Sequence, residues 1–332
     1  MEQNNYGGAL QHPVGSGFNA TSTATDVIRG IDLHGRTAIV TGGSTGIGLE
    51  TTKVFAAAGA TVIVPARDIS KAKENLKSIP NVELENIDLM NPGSIDAFAR
   101  KFLASGRALD LLVNNAGIMW VPLRRDARGI ESQLATNYLA QFQLTARLWP
   151  SLKKSNAARV INVSSQGHQF ANFDFDDPNF LNRPYETLQA YGQSKTACNL
   201  FTLEFDKRAS PFNVRAFSLH PGSIGGTELA REAPMELFKK MGFCDAEGKL
   251  FPHVAASLKT IPQGSATTVW CATSPLLSKL GGVYCEDCEI AELEASDSQT
   301  SKGVKNYCLQ KDNADKLWTV SEQMTALSFN PD

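Results

Sequence analysis

The chain has 332 residues, of which 42% are hydrophobic, ample for a sizeable core; at about 150 residues per domain this length fits two domains or one large α/β domain with extensions. Lys and Arg number 32 against 34 Asp and Glu, a net charge of −2, and the absence of any basic stripe argues against a nucleic-acid partner. Apolar runs stay below the roughly 18 residues that span a bilayer, the first 28 residues lack the Lys or Arg of an export or transit signal, and six scattered cysteines suit free thiols, so a cytoplasmic protein without a membrane span is expected.

Residues 1–30 are rich in Gly, Asn, Ser and Thr, show no apolar periodicity, and read as a flexible N-terminal extension. From Thr37 short β-branched runs alternate with longer amphipathic stretches. TAIVT leads into an Ala-rich helix to Ala58, followed by the strand ATVIV, a helix over about 69–78 and the strand VELENI. Asn91 caps the next helix with Pro92 in its first turn. The strand LDLLVN, a helix around 129–150, the strand RVINVS, a helix over about 188–208 and the strand VRAFSL follow. A helix near 263–272 and the short strand GVYC close the unit near residue 295. Strands that are apolar throughout and separated by helices predict one doubly wound, Rossmann-type parallel sheet over 31–295, with helices on both faces. The segment 224–262 is less periodic yet holds Leu229, Met235, Leu237, Phe238, Met241, Phe243, Leu250 and Phe251. Inserted after the sixth strand, at the carboxyl end of the sheet, it reads either as a substrate lid or as a helical excursion with its own small core. Residues 296–332 read as a polar C-terminal tail with one helix around 315–324, and there are no internal repeats.

Two patterns carry chemistry. The first strand runs directly into Thr41-Gly42-Gly43-Ser44-Thr45-Gly46-Ile47-Gly48 and then a helix. Glycines there allow a tight turn and let a pyrophosphate approach backbone N–H groups at the positive end of the helix, so this placement points to dinucleotide binding. The spacing of Gly42, Gly46 and Gly48 differs from the usual G-x-G-x-x-G. Farther on, Tyr191 and Lys195 stand four residues apart on one helix face. A phenol is a poor base at neutral pH, and a neighbouring ammonium stabilises its phenolate; out of context the same spacing is an ordinary surface pair. His168 and His220 lack partners at metal-ligand spacing and read as structural or solvent-facing, so no metal site is expected.

TGGSTGIG, the NNAG at Asn114–Gly117, Asn137 in TNYLA, the pair Ser164 and Ser165 ending a strand, Tyr191 with Lys195, and Pro221-Gly222 after the next strand share one order and spacing. In these motifs the chain resembles the short-chain dehydrogenase/reductase family over roughly 32–292. The late GGVYCEDC resembles the branch that includes retinol dehydrogenases and the WW-domain-containing oxidoreductase, and Cys285 and Cys288, without a second pair, match a strand end there rather than a metal or redox motif. The resemblance implies an NAD(P)-dependent carbonyl reductase or alcohol dehydrogenase. Tyr191 would be its general acid and base, Lys195 would assist that phenol and hold the nicotinamide ribose, Ser165 would hydrogen-bond the reacting oxygen, and Asn137 would position a relay water. Ser165 is preferred to Ser164 because alternation turns the two to opposite faces and the second serine faces the nicotinamide in similar sequences.

The cofactor contacts implied are Gly42, Ser44, Thr45, Gly46, Ile47, Gly48, Arg67, Asp88, Leu89, Asn115, Ala116, Gly117, Tyr191, Lys195, Pro221, Gly222 and Ile224. Between Gly222 and Thr227 the chain is one residue longer than the common form, which leaves a contact of Thr227 open. At the end of the second strand Ala66 leaves room, and Arg67 offers a charged fork suited to a 2′-phosphate where an NAD enzyme usually places a carboxylate, so NADP(H) is expected over NAD(H), with Asp68 as the rival. The substrate expected is a hydrophobic small-molecule carbonyl or alcohol, and a homo-oligomer is compatible with the sequence. A catalytically silent dinucleotide-binding sensor or scaffold is the alternative; it would need the glycine turn but not the proton relay. A serine hydrolase fails because no G-x-S-x-G elbow surrounds Ser165.

Overall fold

Thr37–Val40 sends Ala38 and Val40 into one apolar cluster and Ile39 into another, and Thr61–Ala66 divides Val62 and Val64 from Ile63 in the same way. Successive strand residues point to opposite faces, so a strand apolar at every position has to be covered on both sides. The computed structural model, which describes residues 4–331, meets that demand with helices packed on both faces of one sheet. In chain order its elements are α1 (Ala24–Ile28), β1 (Thr37–Val40), α2 (Gly46–Ala57), β2 (Thr61–Ala66), α3 (Ile69–Leu76), β3 (Val82–Asn86), α4 (Pro92–Ala104) and β4 (Leu111–Asn114). Then come α5 (Ser132–Leu134), α6 (Ala140–Leu152), β5 (Ala158–Val163), α7 (Thr187–Ala209) and β6 (Val214–His220). The chain continues through α8 (Met235–Lys240), α9 (Pro252–Ser257), α10 (Ile261–Thr273), β7 (Val283–Glu286), β8 (Glu289–Ile290), β9 (Leu293–Glu294), β10 (Val304–Lys305) and α11 (Lys311–Thr325).

The main sheet runs β3-β2-β1-β4-β5-β6-β7-β8, parallel throughout except for the antiparallel β8. Ile39 of β1 pairs with Ile63 on one side and Leu112 of β4 on the other. The strand order reverses between β1 and β4, which opens a crevice beyond their carboxyl ends. This is the doubly wound sheet that the apolar strands predict. The helix expected around 129–150 starts instead at Ser132 and carries a π turn over Ala135–Leu139 before α6.

The N-terminal segment is not the flexible extension that its composition suggests. Gln11 Nε2 donates to the carbonyls of Tyr284 (2.6 Å) and Ala291 (2.7 Å), and its Oε1 accepts from Tyr284 N (3.1 Å) and Asn5 Nδ2 (3.0 Å). The Glu289 carboxylate receives the amides of Val14, Gly15 and Ser16, while Leu10, Ala24 and Val27 are buried. Polar side chains here complete the backbone hydrogen bonding of β7 and the residues beyond β8, and hydrophobic periodicity carries no trace of that. Residues 1–3 of the expected extension lie outside the described residues. Gln11→Ala leaves these buried backbone groups without partners and is expected to cost about 1–3 kcal/mol; an unchanged chemical denaturation midpoint would show that the segment is undocked in solution.

The expected polar tail is likewise part of the core, apart from residue 332, which lies outside the described residues. α11 lays Ala314, Leu317, Trp318, Ser321 and Thr325 against α6 and α7, and Phe329 closes the cluster. Their spacing of three and four residues forms a stripe narrow enough to be masked by the polar residues between them. The segment 224–262 forms α8 and α9. Phe238 and Phe243 pack on Trp120 with ring centroids at 5.2 and 6.2 Å, and the pairs Lys71–Glu228 and Arg124–Glu232 tie its first part to α3 and to the loop after β4. Among the described residues no helix is long and apolar enough to cross a membrane.

Candidate active site

The turns after β1 and β4 are laced together at the crevice. Thr41 Oγ1 accepts from the amides of Asn115 (2.9 Å) and Ala116 (3.0 Å), and Asn115 Nδ2 donates back to Thr41 O (2.9 Å). Gly42 and Gly46 sit at φ of 65° and 53°, in the left-handed region that glycine enters at little cost. A Cβ on Gly48 would stand 2.3 Å from Gly42 O and 2.5 Å from Asn115 Nδ2, so the start of α2 approaches this turn as only glycine allows. Thr45 precedes α2 without a side-chain capping bond, which leaves the first helical amides to other acceptors. A pyrophosphate fits there, because those N–H groups and the helix dipole both favour an anion. Ser44 adjoins them and its carbonyl accepts from Asn75 Nδ2 (3.0 Å).

Ile47 and Ile224 both flank Gly264, which brings the segment after β6, with Pro221 and Gly222, over the start of α2. Thr227 also reaches Gly46, its methyl 3.7 Å from where a Cβ would stand. Asp88 and Leu89 form the turn after β3, where Asp88 N donates to Ser94 Oγ and the Asp88 carboxylate accepts from Met90 N, each at 2.9 Å. Arg67 is exposed at the end of β2, and among the described residues no hydrogen bond or ion pair holds its guanidinium. Asp68 is engaged as the cap of α3, accepting from Lys71 N at 2.9 Å.

On the other side of the crevice α7 buries Tyr191 and Lys195 at 2% and 4% exposure. Lys195 Nζ donates to Val163 O (2.9 Å) and lies 5.6 Å from the centre of the Tyr191 ring. Ser164 turns inward and donates to Lys195 O (3.0 Å), whereas Ser165 is partly exposed and its Oγ accepts from Gly167 N (2.9 Å), which leaves the hydroxyl hydrogen available. Asn137 lies in the π turn, a device frequent at functional sites. Its Oδ1 accepts from Ile118 N (2.8 Å), and its amide donates to Ile118 O and Ser194 Oγ, both at 3.0 Å. A Cβ on Gly117 would lie 3.1 Å from Asn137 Oδ1 and 3.7 Å from Lys195 Nζ, so the turn after β4, Asn137 and Lys195 converge. Glu131, at the entrance to α5, has its carboxyl pushed up by burial although the amides of Gln133 and Leu134 bind it.

Four residues of this site were absent from the sequence reading of the chemistry: Thr41 as the acceptor that joins two turns, Ser194, Trp120 and Gly167. Thr41 was visible only as the residue ahead of the glycines. Trp120 holds a left-handed backbone (φ 57°) beside the 224–262 segment. Gly167 matters because a Cβ there would stand 2.5 Å from Tyr191 Cε1, a proximity across 24 residues of chain that no local pattern reports. Gly167→Ala is expected to displace the phenol and lower turnover on the order of 10²-fold, as sub-ångström to 1 Å misplacements do; activity equal to wild type would show that the ring has room to spare.

The crevice at the strand reversal and the buried Tyr191–Lys195 pair beside it have the make-up of a dinucleotide-dependent oxidoreductase. Residues 36–237 match the family model described as short chain dehydrogenase, and the chain belongs to the short-chain dehydrogenase/reductase family. It is 40% identical over 295 residues to a probable oxidoreductase of Streptomyces antibioticus, covering 87% of this chain and 97% of that one. It is 36% identical over 321 residues to the short-chain dehydrogenase/reductase prx1 of Penicillium roqueforti, covering 93% and 92%. Among solved structures, an uncharacterized protein of Mycobacterium paratuberculosis superposes with a TM-score of 0.70 at 29% identity, over 92% of this chain and 98% of that one.

Proposed function

We propose that the protein transfers a hydride between NADP(H) and the carbonyl or alcohol group of a hydrophobic small molecule. The observation that carries this reading is the convergence of Ser165, Tyr191 and Lys195 with Gly117 and Asn137 beside the glycine turn. The bound dinucleotide supplies or accepts the hydride. Tyr191 gives its phenolic proton to the carbonyl oxygen during reduction and takes it back from the alcohol during oxidation. The Lys195 ammonium stabilises the phenolate, and the free hydroxyl hydrogen of Ser165 binds the same oxygen, where charge develops. Both amide hydrogens of Asn137 are committed to Ile118 and Ser194, so a relay water would be held by its main-chain carbonyl, which Cys198 Sγ meets at 3.3 Å.

The apolar character of the substrate rests on Trp120, Phe238 and Phe243, which form an aromatic cluster between the loop after β4 and the segment 224–262, read here as a lid. Six buried free thiols suit the cytoplasm. A panel of aldehydes, ketones and alcohols offered with each dinucleotide tests the reading. Binding of NADPH without hydride transfer to or from any of them would favour the silent sensor instead.

For the cofactor, Asp68 spends one carboxylate oxygen on capping α3 while Arg67 stays exposed, which supports a 2′-phosphate contact. Arg67→Ala is expected to weaken NADPH binding by about 1.5–3 kcal/mol, the scale of a hydrogen bond to a charged group, and to leave NADH binding nearly unchanged. Equal losses for both, read by titration calorimetry, would move the assignment to Asp68.

A further inference from the structure

The peptide unit that joins Ser165 to Gln166 is held at both polar ends by histidine. Its carbonyl accepts from His168 Nδ1 at 2.7 Å and His168 N at 3.1 Å, and its N–H donates to His220 Nδ1 at 3.0 Å. These partners assign the tautomers. A carbonyl only accepts, so His168 carries hydrogen on Nδ1, and its Nε2 accepts from Lys305 N at 3.3 Å. A backbone N–H only donates, so His220 Nδ1 is bare. Both rings are neutral, because burial lowers His168 to about 4 and His220 to about 3. The C-terminal segment braces the same turn: Tyr307 Oη donates to His168 O at 2.7 Å and Gln169 Nε2 to Lys302 O at 3.2 Å.

We propose that His168 and His220 are positioning residues that clamp the Ser165–Gln166 peptide plane and thereby aim Ser165 Oγ at the reacting oxygen. One ring presents a donor and the other an acceptor. A flipped plane would set the Ser165 carbonyl against the bare nitrogen of His220 and the Gln166 N–H against the Nδ1–H of His168, so only one orientation is satisfied. Ser165 opens the 3₁₀ turn Gln166–Phe170, and its hydroxyl leans on Gly167 N; rotating the plane would swing that amide and the side chain together. The clamp rests on the proposed role of Ser165 as hydrogen-bond donor to substrate.

The test uses the full chain and the panel carbonyl that wild type reduces fastest. His168→Leu and His220→Leu should each lower kcat by about tenfold or more while KM and the NADPH Kd stay within about twofold. His168→Asn and His220→Asn place an amide donor or a carbonyl acceptor near the lost Nδ1 and should restore most of kcat. In a Ser165→Ala background the leucine changes should cost almost nothing further, since residues acting through one group are not additive. Independently of activity, amide hydrogen exchange over 164–170 should quicken in His220→Leu and not in His220→Asn. Undiminished kcat in the leucine variants, or losses that persist in full without Ser165, would overturn the clamp. If Ser165→Ala alone leaves kcat unchanged, the role given to Ser165 fails, and with it the aiming of Ser165 at substrate. Should a leucine variant not fold, His220→Gln moves the acceptor outward by one methylene and must lower kcat; full activity there overturns the clamp as well.

Discussion

Tyr191→Phe is expected to reduce kcat by about 10³-fold, within the range that a positioned acid or base contributes, while NADPH binding stays near wild type. The ring is 2% exposed on α7, packed against Gly167, with the Lys195 ammonium 5.6 Å from its centre. Phenylalanine keeps that packing and removes only the hydroxyl that gives the proton to the carbonyl oxygen. Ser165 and the bound dinucleotide remain, so residual turnover reports polarisation and proximity without proton donation. A loss confined to kcat and kcat/KM, with an unchanged dinucleotide Kd, assigns the proton to Tyr191. A folded variant that keeps more than about a tenth of wild-type kcat would remove Tyr191 from this role.

Trp318→Ala is expected to destabilise the protein by about 3–5 kcal/mol, the usual cost of deleting a buried large aromatic. Trp318 is buried where α11 meets α6 and α7, with Phe329 and Phe201 stacked at 5.1 and 6.0 Å and Phe142 edge-on at 5.5 Å. The Arg208 guanidinium lies 4.4 Å from its ring. Little else is available to refill such a void, because the neighbours are rigid rings on α6, on α7 and on the chain that follows α11. For a chain of this length the loss corresponds to a fall of roughly 4–7 °C in melting midpoint. A shift below about 1 °C would show that α11 is not docked in solution.

The two terminal segments separate what local pattern can report from what it cannot. Apolar strands between amphipathic helices require a parallel sheet covered on both faces, and β1, β2 and β4 to β7 follow from that demand, whereas β3, VELEN with no buried residue, stands at the edge of the sheet. The glycine turn and the Tyr191–Lys195 spacing were equally legible, because each is contiguous in sequence or repeats with the period of one helix. Residues 4–30 carry no such sign, and over 311–325 the pattern marks the helix around 315–324 without showing that it docks. Gln11 meets carbonyls 273 and 280 positions away, and its amide acts as a surrogate strand that has no hydrophobic period to detect.

Within the site, Ser164 and Ser165 differ in sequence only by strand parity, and the structure gives each a distinct partner, Lys195 O for one and Gly167 N for the other. The π turn that carries Asn137 reads as ordinary helix in sequence, since one extra residue in a turn leaves the composition unaltered. His168 and His220, without partners by spacing, find them in a single peptide plane because β5 and β6 are neighbours and the chain between them returns through α7. The sequence by itself determined the parallel sheet, its cover of helices on both faces and the positions of the glycine turn and the Tyr–Lys pair, all of which rest on interactions within one element or on burial demanded by a whole strand. Only the tertiary structure decided the docking of both termini, the orientation of Ser165 and the approach of Gly167 to Tyr191, because each depends on polar groups or bare backbone meeting across long stretches of chain, where the deciding term is satisfied hydrogen bonding and steric fit rather than periodic hydrophobicity.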